Sequence, residues 1–381
     1  MAPVGASEDV VAQPRAARVS SSHSGQAQDH KKQIAEFLVV MAQKGGSDLH
    51  LSPGHYPTIR IDSRLVPLTE YKILDKQQLE GLILSMLTDG PKQKFLAEKE
   101  LDFAYELSNK LRFRVNIYQT RGSFAGAWRL IPEEIKTIEE LSLPPIVKIF
   151  SKLSQGFVLI VGPNGHGKST TVASIIDLIN HERAEKIITI EDPIEYIFTP
   201  DKSIIDQREV HFDTVSFSRA LRSTFRENVN VIMVGEMRDY DTVSTAVTAA
   251  ETGHLVFASL HTNNAAQSIE RIIDIFPPDQ QRQIISQLAN TISGVVSMRL
   301  IPRIKGGLVP AVEVMIANAA VRNLIRDGRV QQLNLAIDTG SESGMISLNR
   351  SLADLVHRGE ISMEQAEFYS LNPVELRSLI S

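Results

Sequence analysis

The octapeptide Gly162-Pro163-Asn164-Gly165-His166-Gly167-Lys168-Ser169 constrains this chain more than any other stretch of it. It satisfies the pattern G-x-x-x-x-G-K-S, in which glycines let the backbone close around an anion while the amides of a following helix point at it. Its flanks have the required character. The apolar run Phe157–Val161 leads in as a strand, and Thr170-Thr171-Val172-Ala173-Ser174-Ile175-Ile176 continues as a helix. In such a loop Lys168 would reach the β- and γ-phosphates of a nucleotide, and the Ser169 hydroxyl would ligate Mg2+. The candidate nucleotide-binding residues are therefore Gly162, Pro163, Asn164, Gly165, His166, Gly167, Lys168, Ser169 and Thr170.

Three further apolar runs, Ile187–Ile190, Val231–Val234 and Leu255–Ala258, are short, rich in β-branched residues and unalternating, as strands buried on both faces must be. Helical patterns separate them, so the second half is predicted to be a parallel α/β sheet. Ligands of such sheets bind at the carboxyl ends of the strands, which makes the residues after each run the candidates for chemistry. Ile188-Thr189-Ile190 leads into Glu191 and Asp192, and Val231-Ile232-Met233-Val234-Gly235 into Glu236. These carboxylates could position Mg2+-bound water or polarise an attacking water, and Glu236 is favoured for the latter. Strand-end acids also serve to cap loops or pair with arginines. His254 and His261 stand at opposite ends of one strand and cannot form one metal pair. His261, at the carboxyl end, is the candidate sensor of a γ-phosphate; the alternative for either is a structural histidine.

The first half has a different grain. Residues 1–30 hold no Leu, Ile, Phe, Tyr or Trp, and a disordered tail is expected there. Ile34, Phe37, Leu38 and Met41 then mark one face of a helix that stops at Gly45-Gly46. A strand through Ile59 and Ile61 is expected to turn at Asp62-Ser63, and Asp75 to cap a helix with Leu79, Leu82, Ile83 and Met86 on its apolar face. In Arg112-Phe113-Arg114-Val115-Asn116-Ile117 the alternation sends Phe113, Val115 and Ile117 to a core and Arg112 with Arg114 outward. Arg121-Gly122 marks a turn, with Ser123 to Ile131 as the returning strand. Pro132, Glu133-Glu134-Ile135-Lys136 and Pro144-Pro145 interrupt regular structure. The expected organisation is a tail over 1–30, an α+β domain over 31–132, a linker over 133–145 and an α/β domain with C-terminal helices over 146–381.

Composition removes several functions. The absence of cysteine excludes disulfides, Cys-ligated metal and thiol nucleophiles, and 40 basic against 45 acidic residues, a net charge of -5, argues against a nucleic-acid partner. No run approaches the roughly 18 apolar residues of a membrane span. The N-terminus lacks a signal-peptide core, so the expected location is the cytoplasm.

Gly-Pro-Asn-Gly-His-Gly-Lys-Ser-Thr-Thr, Thr-Ile-Glu-Asp-Pro-Ile-Glu-Tyr, Val-Gly-Glu-Met-Arg-Asp and Thr-Gly-His-Leu-Val-Phe-Ala-Ser-Leu-His-Thr-Asn together resemble the Walker A, Asp, Walker B and His boxes of the secretion ATPase superfamily. Within it the chain is most similar to the PilT/PilU group of type IV pilus retraction ATPases. The similarity runs over about residues 31–360 and includes Ser47-Asp48-Leu49-His50-Leu51. It implies a RecA-like motor domain behind a PAS-like domain, a homohexameric ring, and ATP with Mg2+ as cofactors. It further implies an inner-membrane pilus platform protein as partner, a second retraction ATPase as another candidate partner, and peripheral attachment to the inner membrane at the pilus base. Carried over residue by residue, it suggests Glu236 as general base, Glu191 as a magnesium-water ligand or catalytic acid, and His261 as γ-phosphate sensor. Arg112 and Arg121 fall in the family's arginine-finger region; a solvated strand face is the alternative for Arg112. Ala320-Val321-Arg322-Asn323-Leu324-Ile325 is similar to a signature associated with retraction, with Val in place of Ile.

Two departures stand out. His166 replaces the serine usual in this phosphate loop, either adding positive charge at low pH or occupying an exposed position at no cost. Phe225-Arg226-Glu227-Asn228-Val229-Asn230 lacks the Leu-Arg-x-Asp-Pro-Asp pattern that precedes Walker B. Competing readings are an accessory PilU-like ATPase, a type IV secretion ATPase, and a type II secretion or pilus-assembly ATPase, the last disfavoured by the missing tetracysteine site. A nucleic-acid translocase and a nonhydrolysing regulatory partner complete the set.

Overall fold

The computed structural model describes residues 21–61, 64–108, 111–131 and 134–380. Residues 1–20 of the expected tail, the turn at Asp62-Ser63, and Pro132 with Glu133 at the start of the expected linker lie outside the described residues. Two compact units divide the chain, Met1–Leu130 and Ile131–Ser381.

In the first unit, helix α1 (Ser21–Gln43) buries Ile34, Phe37, Leu38 and Met41, the face predicted from their spacing. Residues 21–30, expected within the tail, are helical instead. A helix anchored by that face extends its hydrogen-bond ladder through polar residues at little cost, because nucleation is already complete. Strands β1 (Asp48–Leu51), β2 (Thr58–Ile61) and β3 (Arg64–Pro67) lead to α2 (Lys76–Leu84). Asp75 caps α2: its carboxylate accepts from the Gln78 amide, and the Gln78 side chain accepts from the Asp75 amide. Met86, expected on that helix, lies two residues past its end. Helix α3 (Asp89–Glu98) precedes β4 (Glu100–Ser108), β5 (Leu111–Thr120) and β6 (Ser123–Ile131), and the six strands form one sheet in the order β3-β2-β1-β6-β5-β4. This is an α+β unit. On β5, Phe113, Val115 and Ile117 are buried while Arg112 and Arg114 alternate with them.

The second unit opens with a 3-10 helix over Pro145–Lys152, followed by β7 (Gly156–Val161), α4 (Lys168–Glu182), β8 (Lys186–Glu191) and β9 (Ile204–Glu209). Helix α5 (Phe217–Thr224), β10 (Val231–Val234), α6 (Tyr240–Glu251), β11 (Leu255–Leu260), α7 (Ala265–Asp274) and α8 (Gln281–Thr291) come next. Then follow β12 (Ile292–Pro302), β13 (Leu308–Ile316), α9 (Ala319–Arg326), α10 (Leu333–Thr339), α11 (Leu348–His357), α12 (Met363–Tyr369) and α13 (Pro373–Ile380). The sheet order is β13-β12-β7-β11-β10-β8-β9, with all neighbours parallel except β13, which returns antiparallel to β12.

Burial on both faces explains why its strands read as unbroken apolar runs. Phe157, Leu159 and Val161 of β7 enter a core with α5 to α8, whereas Val158 and Ile160 enter the opposite core with α4 and the 3-10 helix. Burial of Ile175, Ile176 and Ile179 fixes α4 against that second face. The strand order brings the carboxyl ends of β7, β11, β10 and β8 side by side, so the segments holding Lys168, His261, Glu236 and Glu191 meet at one edge. Among the described residues no helix is long and apolar enough to cross a membrane.

Candidate functional site

The loop between β7 and α4 is shaped by its glycines. Gly165 and Gly167 hold φ +77 and +87, and a Cβ on Gly162 would stand 2.6 Å from the Met298 carbonyl oxygen. Gly165 has open space where a side chain would be. Loop amides, the α4 N-terminus and the Lys168 ammonium supply the donors that a polyphosphate requires, and the Ser169 hydroxyl adds a hard oxygen of the kind Mg2+ prefers. These residues fit a nucleotide with its metal.

The Lys168 ammonium donates to the loop's own carbonyls, Gly162 O at 2.9 Å and Pro163 O at 3.0 Å, and lies 3.2 Å from His261 Nδ1. His261 Nε2 is 2.9 Å from one Glu236 oxygen, and Arg238 donates to the other at 2.7 Å. A continuous polar chain therefore runs Lys168–His261–Glu236–Arg238, joining three strand ends. Burial lowers the Lys168 pKa, opposed by the negative charges of Glu236 and Glu195. Burial alone would raise the Glu236 carboxyl, but the Arg238 hydrogen bond and the nearby His261 outweigh it and hold it below the ordinary carboxylate range.

Glu191 has the contrary environment. It ends β8, is 4% exposed, and burial pushes its pKa up to about 7. Thr189 Oγ1 donates to it at 2.7 Å, the Glu195 amide at 3.2 Å and Gln207 Nε2 at 3.3 Å, which favour the ionised form but do not offset desolvation. Two acids at neighbouring strand ends thus differ in protonation, one held anionic and one poised near neutrality.

His166 does not occupy the exposed position that was one expectation for it. It is half-buried, and its Nδ1 accepts the Leu300 amide proton at 2.9 Å, pinning the loop to β12. Burial, with the positive charges of Arg299 and Lys168, lowers its pKa, so the neutral form that can accept this bond is favoured. The Asn228-Val229-Asn230 departure lies at the amino end of β10, where Asn230 Oδ1 accepts from the Lys186 amide at 2.9 Å. Glu236 follows the other end of that strand. His254 Nδ1 is 2.9 Å from the Ala249 carbonyl oxygen, a structural setting at the amino end of β11. Arg322 donates to the carbonyls of Ala289 and Asn290 at the end of α8, at 3.0 and 2.6 Å, so the α9 signature clamps two helices as well as burying Val321 and Ile325.

Arg112 lies half-buried on β5, and Arg121 is exposed in the β5–β6 turn with φ +49, both in the first unit. Sequence reasoning missed Tyr196, whose hydroxyl meets Thr170 Oγ1 at 2.8 Å, and Arg238. Arg238 had a signal in its position two residues after Glu236; Tyr196 had none beyond its place in the Asp box.

A parallel sheet that carries a phosphate loop, a strand-end glutamate pair and a linking histidine defines a P-loop ATPase of the RecA-like type. The type II/IV secretion system protein family model matches residues 137–349. The type IV pilus retraction ATPase PilT of Pseudomonas aeruginosa is 44% identical over 333 residues, covering 87% of this chain and 96% of the relative. The type IV pilus ATPase PilU of the same organism is 37% identical over 349 residues, covering 91% of each. A crystal structure of the pilus retraction motor PilT with bound ADP shares 43% identity with a TM-score of 0.85, covering 91% of this chain and 99% of that one. The chain belongs to the type II/IV secretion system protein family, as an ATP hydrolase of its PilT-like group.

Proposed function

We propose that this chain is the ring-forming motor of type IV pilus retraction, a reading that one observation carries: the polar chain from Lys168 through His261 to Glu236 and Arg238 ties the phosphate loop to the hydrolytic strand end. Its similarity to PilT along nearly the whole length supports retraction over assembly. ATP is the substrate, held by the amides from Gly162 to Thr170 and by Lys168. Mg2+ would be held by Ser169, with Glu191 and Glu236 reaching it through water, and would neutralise charge on the phosphates. Glu236, kept anionic, takes the proton of the attacking water. His261 lies between Glu236 and Lys168, so that presence or loss of the γ-phosphate changes its contacts. Glu191 acts as the magnesium-water ligand or acid. Arg112 and Arg121 supply positive charge to a neighbouring protomer's phosphates in a homohexamer.

In this reading the first unit is PAS-like, supported by its helix-flanked sheet. Closing and opening of the ring around the nucleotide turns an inner-membrane platform protein from the cytoplasmic side. Deleting the gene and watching pili directly tests it: abundant pili that do not retract are expected, whereas bald cells contradict it. Retraction that persists except under load assigns the chain to the accessory PilU-like role.

A further inference from the structure

The loop after His261 is held by hydrogen bonds to buried polar side chains of the neighbouring hairpin. Residues 261–265 lead from β11 into α7, and hydrogen bonds fasten them to the β12–β13 hairpin. Ser297 Oγ donates to the Asn263 carbonyl at 2.9 Å, Arg299 Nη2 donates to Asn263 Oδ1 at 2.9 Å, and the Ala265 amide donates to Glu313 Oε1 at 2.8 Å. Ser297 and Glu313 face one another across the hairpin, with Arg299 two residues along the same face.

Arg299 is 8% exposed and Glu313 7%. Burying a guanidinium and a carboxyl costs more than packing two apolar side chains in the same volume, so stability alone does not account for them. Arg299 Nη1 has no hydrogen-bond partner among the described residues, which leaves the Asn263 contacts as the work of this side chain. Asn263 is exposed and lies two residues from His261. The next residue on β12, Leu300, donates its amide to His166 in the phosphate loop. One strand thus ties down both the loop that carries Lys168 and the loop that carries His261.

We propose that Arg299, with Glu313, is a positioning residue for His261: the buried pair clamps the loop 261–265 so that the imidazole stays between Glu236 and Lys168. This rests on the assignment of His261 to the hydrolytic site. Arg299 hydrogen-bonds to Asn263, two residues from His261, and its effect passes through the loop.

The test is a double-mutant cycle on the full-length assembled protein, reading steady-state phosphate release and the affinity for a fluorescent ATP analogue. Arg299→Met is expected to lower kcat about tenfold with KM within about twofold, since the phosphate loop is untouched. Arg299→Lys, which keeps one donor and the charge, recovers part of the loss. In a His261→Ala background, Arg299→Met is expected to change kcat less than about twofold, because the residue it positions is gone. Where Arg299→Met fails to assemble, Asn263→Ala removes the acceptor from an exposed position and carries the same cycle. Equal factors in both backgrounds, or a raised KM at unchanged kcat, overturn the clamp while leaving the site intact. A His261→Ala protein as fast as wild type overturns the His261 assignment and the clamp together.

Discussion

The buried Glu313 carboxyl makes the fold less stable as pH rises. Its carboxyl is 7% exposed on β13, and burial pushes its pKa to about 7 from 4.5, with the Ala265 amide bond and the Arg299 charge opposing the rise. The native state therefore binds a proton that the unfolded chain has released between these two values, and stability declines as pH rises from 4.5 through 7. The full difference amounts to about 3 kcal/mol, an upper bound given the screening that real interiors provide. Glu313→Gln keeps an oxygen for the Ala265 amide and cannot ionise. Relative to this variant, the wild type should lose about 2 kcal/mol between pH 5 and pH 8. For a unit of this size that is a relative fall in Tm of about 4 to 8 °C. Thermal unfolding followed by circular dichroism at both pH values measures it. Parallel pH dependence in the two proteins would refute the reasoning.

His166→Ser removes the acceptor for the Leu300 amide and should cost about 1 kcal/mol at pH 8. Because the imidazole pKa is lowered on folding, the wild-type advantage is complete above 6.5 and is lost as pH falls below it, which urea unfolding at pH 8 and pH 5 would show. Arg112→Ala and Arg121→Ala should each reduce turnover of the assembled protein by about a hundredfold or more while analogue binding changes little; loss of binding instead would make these arginines structural.

What could be read from the sequence depended on how local each interaction is. The phosphate loop, β7 and α4 were legible because their pattern is contiguous, and β8, β10 and β11 because burial on both faces leaves uninterrupted apolar runs. The hairpin β12–β13 was not, since Ser297, Arg299 and Glu313 break its apolar pattern with side chains whose partners lie more than thirty positions away. The same distance hid the meaning of His166. Its acceptor role needs Leu300, which only the parallel pairing of β12 with β7 brings alongside. Helix α1 reached back to Ser21 through polar residues, where periodicity carries no signal.

The claim on which the account turns is that Glu236 drives hydrolysis of a nucleotide gripped by Lys168 and its loop. Phosphate release and fluorescent-analogue binding, measured side by side for wild type and Glu236→Gln, address it directly. The account predicts analogue affinity within about threefold and turnover reduced by about a hundredfold or more in the variant. Equal turnover in the two proteins would contradict it.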